Sequence, residues 1–191
     1  MSQLVTLDQA TVTVSETTTF GPITWQIESG QKWFIAGRNG SGKSVLLEII
    51  ERGGRVLSGA AAGIPQDVVV VSDAAHLALI DRERHQYDDS DDKLKGTSVA
   101  DLITELKPVD TVLTELIRRF QLQPLLRQRF RQLSTGETKK VLFVRALASE
   151  CSMLILDEPL AGLDAASQAV ALGSLADFVG GKTVLLVLND W

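Results

Sequence analysis

The chain has 191 residues, 45% hydrophobic and 23% charged, with a net charge of −5. That composition suits one globular domain with a sizeable core, and the acidic balance argues against a general nucleic-acid binder, which carries basic surface. A single cysteine, Cys151, excludes an internal disulfide framework and reads as a small apolar side chain beside a core strand. The start, MSQLVTLDQA, has no signal-peptide pattern, and the longest aliphatic runs, Val68–Val71 and Val184–Leu188, are too short to span a bilayer. The expectation is a cytoplasmic protein that reaches the inner face of a membrane only through a partner.

The first 35 residues alternate in polarity, with Leu4, Val5 and Leu7, then Val12 and Val14, then Ile23, Trp25 and Ile27. This period of two predicts strands, broken by turns at Gly21-Pro22 and Ser29-Gly30. Lys32–Ala36 predicts a short buried strand, and Ser44–Glu51 a helix with Val45, Leu46, Ile49 and Ile50 facing inward. Gly53–Gly63 reads as a turn or hairpin region, and Asp67–Val71 as a buried strand of the parallel type. Residues 81–96 are polar and carry Asp88, Asp89, Asp91 and Asp92, whose spacing is not that of a calcium-binding loop, so a solvated loop is expected.

From Ser98 the period becomes helical. Val99, Leu102, Ile103 and Leu106 form one stripe, and Val112, Leu113, Leu116, Ile117 and Phe120 another, separated by Pro108. Thr138–Ala148 predicts a further helix, Met153–Leu156 and Val184–Leu188 buried strands, and Ala165–Val179 the helix between them. There is no internal repeat. The pattern is an α/β core with inserted helices. Trp25 and Trp33 fall on strand positions and read as core. His76 and His85 have no ligand pattern around them and read as surface or satisfied histidines, and Arg127, Arg129 and Arg131 read either as a solvated basic face or as a basic approach that steers phosphate or a partner.

Three motifs carry chemistry. Residues 37–44 read GRNGSGKS, a phosphate-binding loop between a strand and a helix. Gly37, Gly40 and Gly42 let the backbone approach phosphate oxygens, with Arg38, Asn39 and Ser41 completing the turn. The amides and the helix N-terminus present positive charge. Lys43 is expected to reach the β- and γ-phosphates, and Ser44 to hold magnesium. Met153–Leu156 delivers Asp157 to the carboxyl end of its strand, where open α/β sheets bind ligands. There Asp157 would hold the metal, and Glu158 would orient or deprotonate an attacking water. The third motif, LSTGE at 133–137, read alone, is an N-cap before a helix.

Together, GRNGSGKS, LSTGE, MLILDEP and AGLD (161–164) resemble the ATP-binding-cassette ATPases over essentially the whole chain. The resemblance implies a P-loop NTPase (RecA-like) core with an N-terminal antiparallel β portion and an inserted α-helical subdomain. It implies one domain over 1–191, C-terminally incomplete, with the core over about 1–80 and 149–191 and the helical subdomain over about 97–148. It further implies ATP and Mg2+ as cofactors and an ATPase whose cassettes pair head to tail. Ser134 and Gly136 would then cap the γ-phosphate held by the opposite cassette, and Asp164 would contact the dimer interface. The second cassette would come from a homodimer or an in-frame tandem domain, and a membrane transport subunit would dock beside the helical subdomain. LSTGETKK, DEPLAGLD and LLVLND look like the first cassette of bacterial tandem ATPases associated with molybdate transport.

The chain departs from that family in four places. No aromatic stands near Val14 to stack adenine. Asp73 stands where the family has a metal-contacting glutamine, and Asn189 where it has a switch histidine. The chain stops at Trp191, short of further strand and helix. Asn189 can hydrogen-bond a phosphate but cannot become a cation. The expectation is therefore an ATP-hydrolysing cassette that drives a partner, with a hydrolysis-weak, ATP-binding regulatory half of a tandem protein as the alternative. A cassette acting on nucleic acid or ribosomes is disfavoured by the acidic balance.

Overall fold

The computed structural model describes residues 3–15, 18–63, 65–87 and 96–189, with the side chain of residue 189 excepted. The four aspartates at 88, 89, 91 and 92 and Trp191 lie outside the described residues. The chain forms two compact units. One comprises Met1–Val70, Cys151–Glu158 and Gly181–Trp191, the other Val71–Glu150 and Pro159–Gly180.

The first unit holds two sheets around one helix. Strands β1 (Gln3–Thr13), β2 (Thr19–Glu28) and β4 (Arg55–Ala62) make an antiparallel sheet in the order β2-β1-β4. Strands β3 (Lys32–Gly37), β7 (Thr183–Asn189), β6 (Met153–Asp157) and β5 (Val68–Val71) make the second sheet in that order, with β3 and β6 parallel to β7. Helix α1 (Lys43–Arg52) turns Leu47, Ile49 and Ile50 into a core shared with Val5, Leu7, Ala10, Val12 and Ile27 and with Met153, Ile155, Leu185 and Val187. Trp25 and Trp33 pack on this core edge to face, 5.3 Å apart.

The buried positions of β1 change parity, from Val5 and Leu7 to Ala10 and Val12. Period two carries through only because one extra residue sits between Leu7 and Ala10, where β1 slips against both neighbours. Gln9 there has φ of 45°. The partners slip back one step further along. Gly21-Pro22, read above as a turn between strands, lies inside β2 as a cis peptide, at the slip between Ile23 and Phe20. A Cβ at Gly21 would strike the backbone of Ala10 and Thr11, so glycine lets the two strands close there. Strands β1 and β2 are instead joined after Thr13, where Val14 N donates to Thr18 O at 3.1 Å.

Three other sequence expectations are corrected. Much of Gly53–Gly63 is strand β4. It had no visible alternation because its residues are small and mostly exposed, and it is held by the β1 backbone. Residues 81–86 are not loop but the end of helix α2 (Asp73–Gln86), in which Leu77 is 61% exposed while Leu79 and Glu83 are buried. Strands β5 and β3 are not buried as expected, since β5 is half-buried along its length and β3 alternates exposed and half-buried residues, with Phe34 47% exposed.

The second unit is helical. It contains α2, α3 (Val99–Thr104), α4 (Thr111–Arg119), α5 (Thr135–Ala148) and α6 (Ala165–Phe178). Helix α5 packs on α3, α4 and α6 and is buried on several sides through Val141, Phe143, Val144 and Leu147. It starts at Thr135, inside LSTGE. Leu102, Ile103, Leu113, Leu116 and Phe120 fill the space around it, and Phe120 meets Phe143 at 5.6 Å. Leu106, placed in the first stripe by its spacing, lies beyond α3 and is 40% exposed. The buried Glu83 carboxylate accepts from Thr97 N at 2.8 Å and Thr97 Oγ1 at 2.6 Å, fastening the start of α3 to α2.

Candidate functional site

Helices α2 to α6 each begin on a side-chain cap, from Ser72, Ser98, Asp110, Ser134 and Asp164 respectively. Helix α1 does not. It begins on Gly42, at φ 91° and ψ 7°, with no side-chain cap and no acidic residue in its first turn. Its first-turn amides therefore keep their positive ends available to an anion. The sequence fixes this geometry, because L-residues rarely adopt that φ and a Cβ at Gly42 would run into the ring of Phe20.

A cavity of about 220 Å³ opens at this helix end. Asn39, Gly40, Gly42, Lys43, Ser44 and Val45 line one side, and Asp157 and Glu158 line the other. A Cβ at Gly40 would meet nothing within 4 Å. The Lys43 ammonium is folded back on the loop, donating to Gly37 O at 2.5 Å and Arg38 O at 2.9 Å. An ammonium has three donors, so the third remains for a ligand. The Ser44 hydroxyl and the Asp157 carboxylate are hard oxygen donors of the kind magnesium takes. The loop amides and one lysine match a polyphosphate. The residues present thus fit a magnesium nucleotide.

Glu158 follows β6 with φ of 50°, a conformation that non-glycine residues adopt at a cost of about 1–3 kcal/mol. Its amide donates to Val187 O at 2.9 Å. That bond holds the strained turn, so the carboxylate of Glu158 is placed by β6 and β7 together. Asn189 pairs in register with Gly37, at the first glycine of the loop. Its side chain lies outside the described residues.

In the helical unit, Ser134 is the N-cap of α5. Its Oγ accepts from Glu137 N at 3.3 Å and donates to Glu137 Oε2 at 2.7 Å, and Ser134 N donates to the same carboxylate oxygen at 2.8 Å. These bonds from Ser134 hold the Glu137 carboxyl below its ordinary range, with Lys140 adding to the effect. LSTGE is thus a capping box. Ser134 and Thr135 are exposed, and a Cβ at Gly136 would meet nothing within 4 Å. Asp164 caps α6, accepting from Ser167 N at 2.9 Å and Ser167 Oγ at 2.6 Å, which lowers its carboxyl pKa. Asp73 opens α2 and is ion-paired with Lys139 at 3.1 Å.

Sequence reasoning missed Phe20, Lys139 and the backbone of Glu158. The first two act through contacts between distant segments, which no local pattern encodes. A mostly aliphatic strand ended by two acids gave no warning of the left-handed turn at Glu158. His76, expected to be a surface or satisfied histidine, is half-buried and meets Phe130 edge to face at 6.2 Å.

A family model described as ABC transporter matches residues 20–161. Over 197 aligned residues the chain is 36% identical to the ABC transporter ATP-binding protein ModF of Escherichia coli, covering 99% of this chain and 39% of that protein. It is 28% identical to the molybdate import ATP-binding protein MolC of Haemophilus influenzae, covering 89% of this chain and 65% of that one. The chain therefore spans between about a third and two thirds of the length of these relatives. A bacterial Atm1-family ABC exporter with ATP bound superposes with a TM-score of 0.71 at 15% identity, over 96% of this chain and 34% of that one, a likeness of fold. The glycine loop, the strand that ends in two carboxylates and the capped LSTGE helix all fall within or beside the matched segment, and the chain belongs to the ABC transporter family as an ABC ATPase domain.

Proposed function

We propose that this chain binds Mg-ATP on the Gly37–Ser44 loop, hydrolyses it, and uses pairing with a second cassette to drive a partner. The observation that carries this reading is the cavity at the one described α-helix without a side-chain cap, lined by Lys43, Ser44, Asp157 and Glu158. The loop amides and Lys43 would bind the phosphates. Ser44 and Asp157 would hold magnesium, and the metal would supply charge neutralisation at the phosphates. Glu158 would accept a proton from the attacking water, and Asn189 would hydrogen-bond the transferred phosphoryl. Ser134 and Gly136 would meet the nucleotide of the second cassette, which is either another copy of this chain or a tandem domain.

The likeness to MolC supports a role in transport linked to molybdate, and the likeness to both transporter ATP-binding proteins supports a membrane subunit as partner and a place for the chain at the cytoplasmic face. Among the described residues no helix is long and apolar enough to cross a membrane. Lys43→Ala tests the reading. Loss of a charge-assisted contact costs about 1.5–3 kcal/mol, so Mg-ATP affinity in calorimetry should fall about ten- to a hundredfold. Equal affinities would remove the loop from its role. Glu158→Gln should keep ATP bound, stop phosphate release and raise the ATP-dependent mass in light scattering.

A second reading, ATP as a conformational ligand with slow turnover, is favoured by the residue beside Gly37 being Asn189, which cannot carry charge. Asn189→His decides between the two. A rise in phosphate release would identify the asparagine as the limiting group and support the slow reading.

A further inference from the structure

We propose that Lys139 is a positioning residue of this site, holding the Ala161–Gly162 turn and the first residue of α2 against the helix that Ser134 caps. The inference rests on the ATPase reading above for its consequence but on geometry alone for its existence. Lys139 lies on α5, one turn beyond Thr135, within the run LSTGETKK. Its Nζ donates to Ala161 O at 2.8 Å and pairs with Asp73 Oδ1 at 3.1 Å. Its side chain is 17% exposed, whereas that of Asp73 is 81% exposed. The lysine side chain is thus mostly covered, while the carboxylate stays open to water.

Each partner belongs to a different functional segment. Ala161 begins the AGLD run that ends in the cap residue Asp164, and Asp73 follows strand β5. The turn has few other ties. Leu163 N donates to Leu160 O at 3.2 Å, and Gln168 Nε2 donates to Leu160 O at 3.2 Å and Leu163 O at 3.1 Å. All of these are local to the turn and the start of α6. Ties to another element come from α5, through Lys139 to Ala161 O and through the neighbouring Lys140, whose ammonium lies 4.0 Å from Asp164 Oδ2. Gly162 in the turn sits at φ 76°, where a glycine avoids backbone strain, and a Cβ there would lie at ordinary contact distance, 3.8 Å, from the ammonium. A lysine suits this place because a compact charge with three donors can serve a carbonyl and a carboxylate at once.

The consequence is geometric. Ser134 and Asp164, the caps of α5 and α6, are kept at a fixed separation partly through Lys139. Groups that form a nucleotide site and the interface that completes it must be held to within about 0.5 Å to work together. Losing the tie should therefore lower turnover more than nucleotide affinity, because the phosphate-binding loop itself is untouched.

The test uses the full chain and two independent readouts. The first is hydrogen exchange at the Leu163 amide without nucleotide. Lys139→Met keeps the stem and removes both bonds, and should speed exchange about tenfold, which corresponds to about 1.4 kcal/mol. Lys139→Arg should restore protection to within about threefold. Asp73→Asn should have a smaller effect, and the double variant should exchange no faster than Lys139→Met. The second readout is ATP turnover, where Lys139→Met should lower kcat about tenfold with KM within about twofold. Lys139→Gln, which keeps a donor, serves if the Met variant does not fold. Unchanged exchange at Leu163, or a rise spread equally over α5 and α6, would overturn the proposal. So would a KM change with kcat intact. If the wild-type chain neither binds nor hydrolyses ATP, the ATPase reading fails while the exchange result still decides the role of Lys139.

Discussion

Replacing Gly42 by alanine tests the physical account of the phosphate loop without using ATP. Two effects add. At φ 91° an L-residue pays about 1–2 kcal/mol for the left-handed backbone. The new Cβ also runs into Cε2 and Cζ of Phe20, an overlap that is relieved only if the ring moves out of its place on the core. Overpacking of that kind costs about 1–3 kcal/mol, so Gly42→Ala should destabilise by about 2–5 kcal/mol. Phe20 is half-buried, so Phe20→Ala alone should cost about 2 kcal/mol, near the lower end for large-to-small core changes. In the double variant the overlap is gone but the backbone term stays. Its cost should fall below the sum of the two single costs by about 1–3 kcal/mol. Urea unfolding of the four proteins measures all three quantities. Strict additivity would show that Phe20 does not press on the loop, and a negligible cost for Gly42→Ala would refute the backbone argument as well.

Two further outcomes follow from the helical unit. The Glu115 carboxyl is held down to about 2 by the Arg118 guanidinium and then by Arg119, whose nitrogens approach to 2.7 Å and 2.9 Å. A folded-state pKa below the ordinary 4.5 gives stability that is present above pH 4.5 and lost as pH falls towards 2. The urea midpoint of Glu115→Gln should therefore lie below that of the wild type near pH 7 and merge with it near pH 2, and a gap that stays constant with pH would contradict the ion pairs. Ser134→Ala removes the cap of α5 and should cost about 1 kcal/mol in urea unfolding, whereas Ser134→Asp should recover most of it. No loss on Ser134→Ala would show that the capping box contributes nothing to the helix.

Much of the fold was legible where burial is one-sided or complete. The runs at Lys32–Ala36, Met153–Leu156 and Val184–Leu188 are strands, and Ala165–Val179 is helix but for its last residue, which follows α6. Helix α2 was not legible, because its apolar residues follow no helical period. Leu77 faces water and the charged Glu83 is its most buried residue, made tolerable by Thr97. Strand β4 was not legible because a mostly exposed edge of small residues has no alternation to read. The glycine loop could be read because its backbone demands are written in residue type. The ties from Lys139 to Asp73 and Ala161 could not, since they join positions far apart in sequence.

The slip across the antiparallel sheet has a consequence for how this fold can change length. Gln9, Gly21 and Gly59 all sit at positive φ, and a Cβ on either glycine would strike the β1 backbone near Gln9. The three strands are creased along one line, and their side-chain phases are matched only because each carries its surplus residue there. Deleting Gln9 alone would leave Val5 and Leu7 in phase with partners that still slip, and would turn one half of β1 inside out. A shorter version of this sheet must therefore lose residues from β1, β2 and β4 together. Insertions and deletions at the crease are concerted events, and a homologue that has straightened one of these strands should be found to have straightened all three.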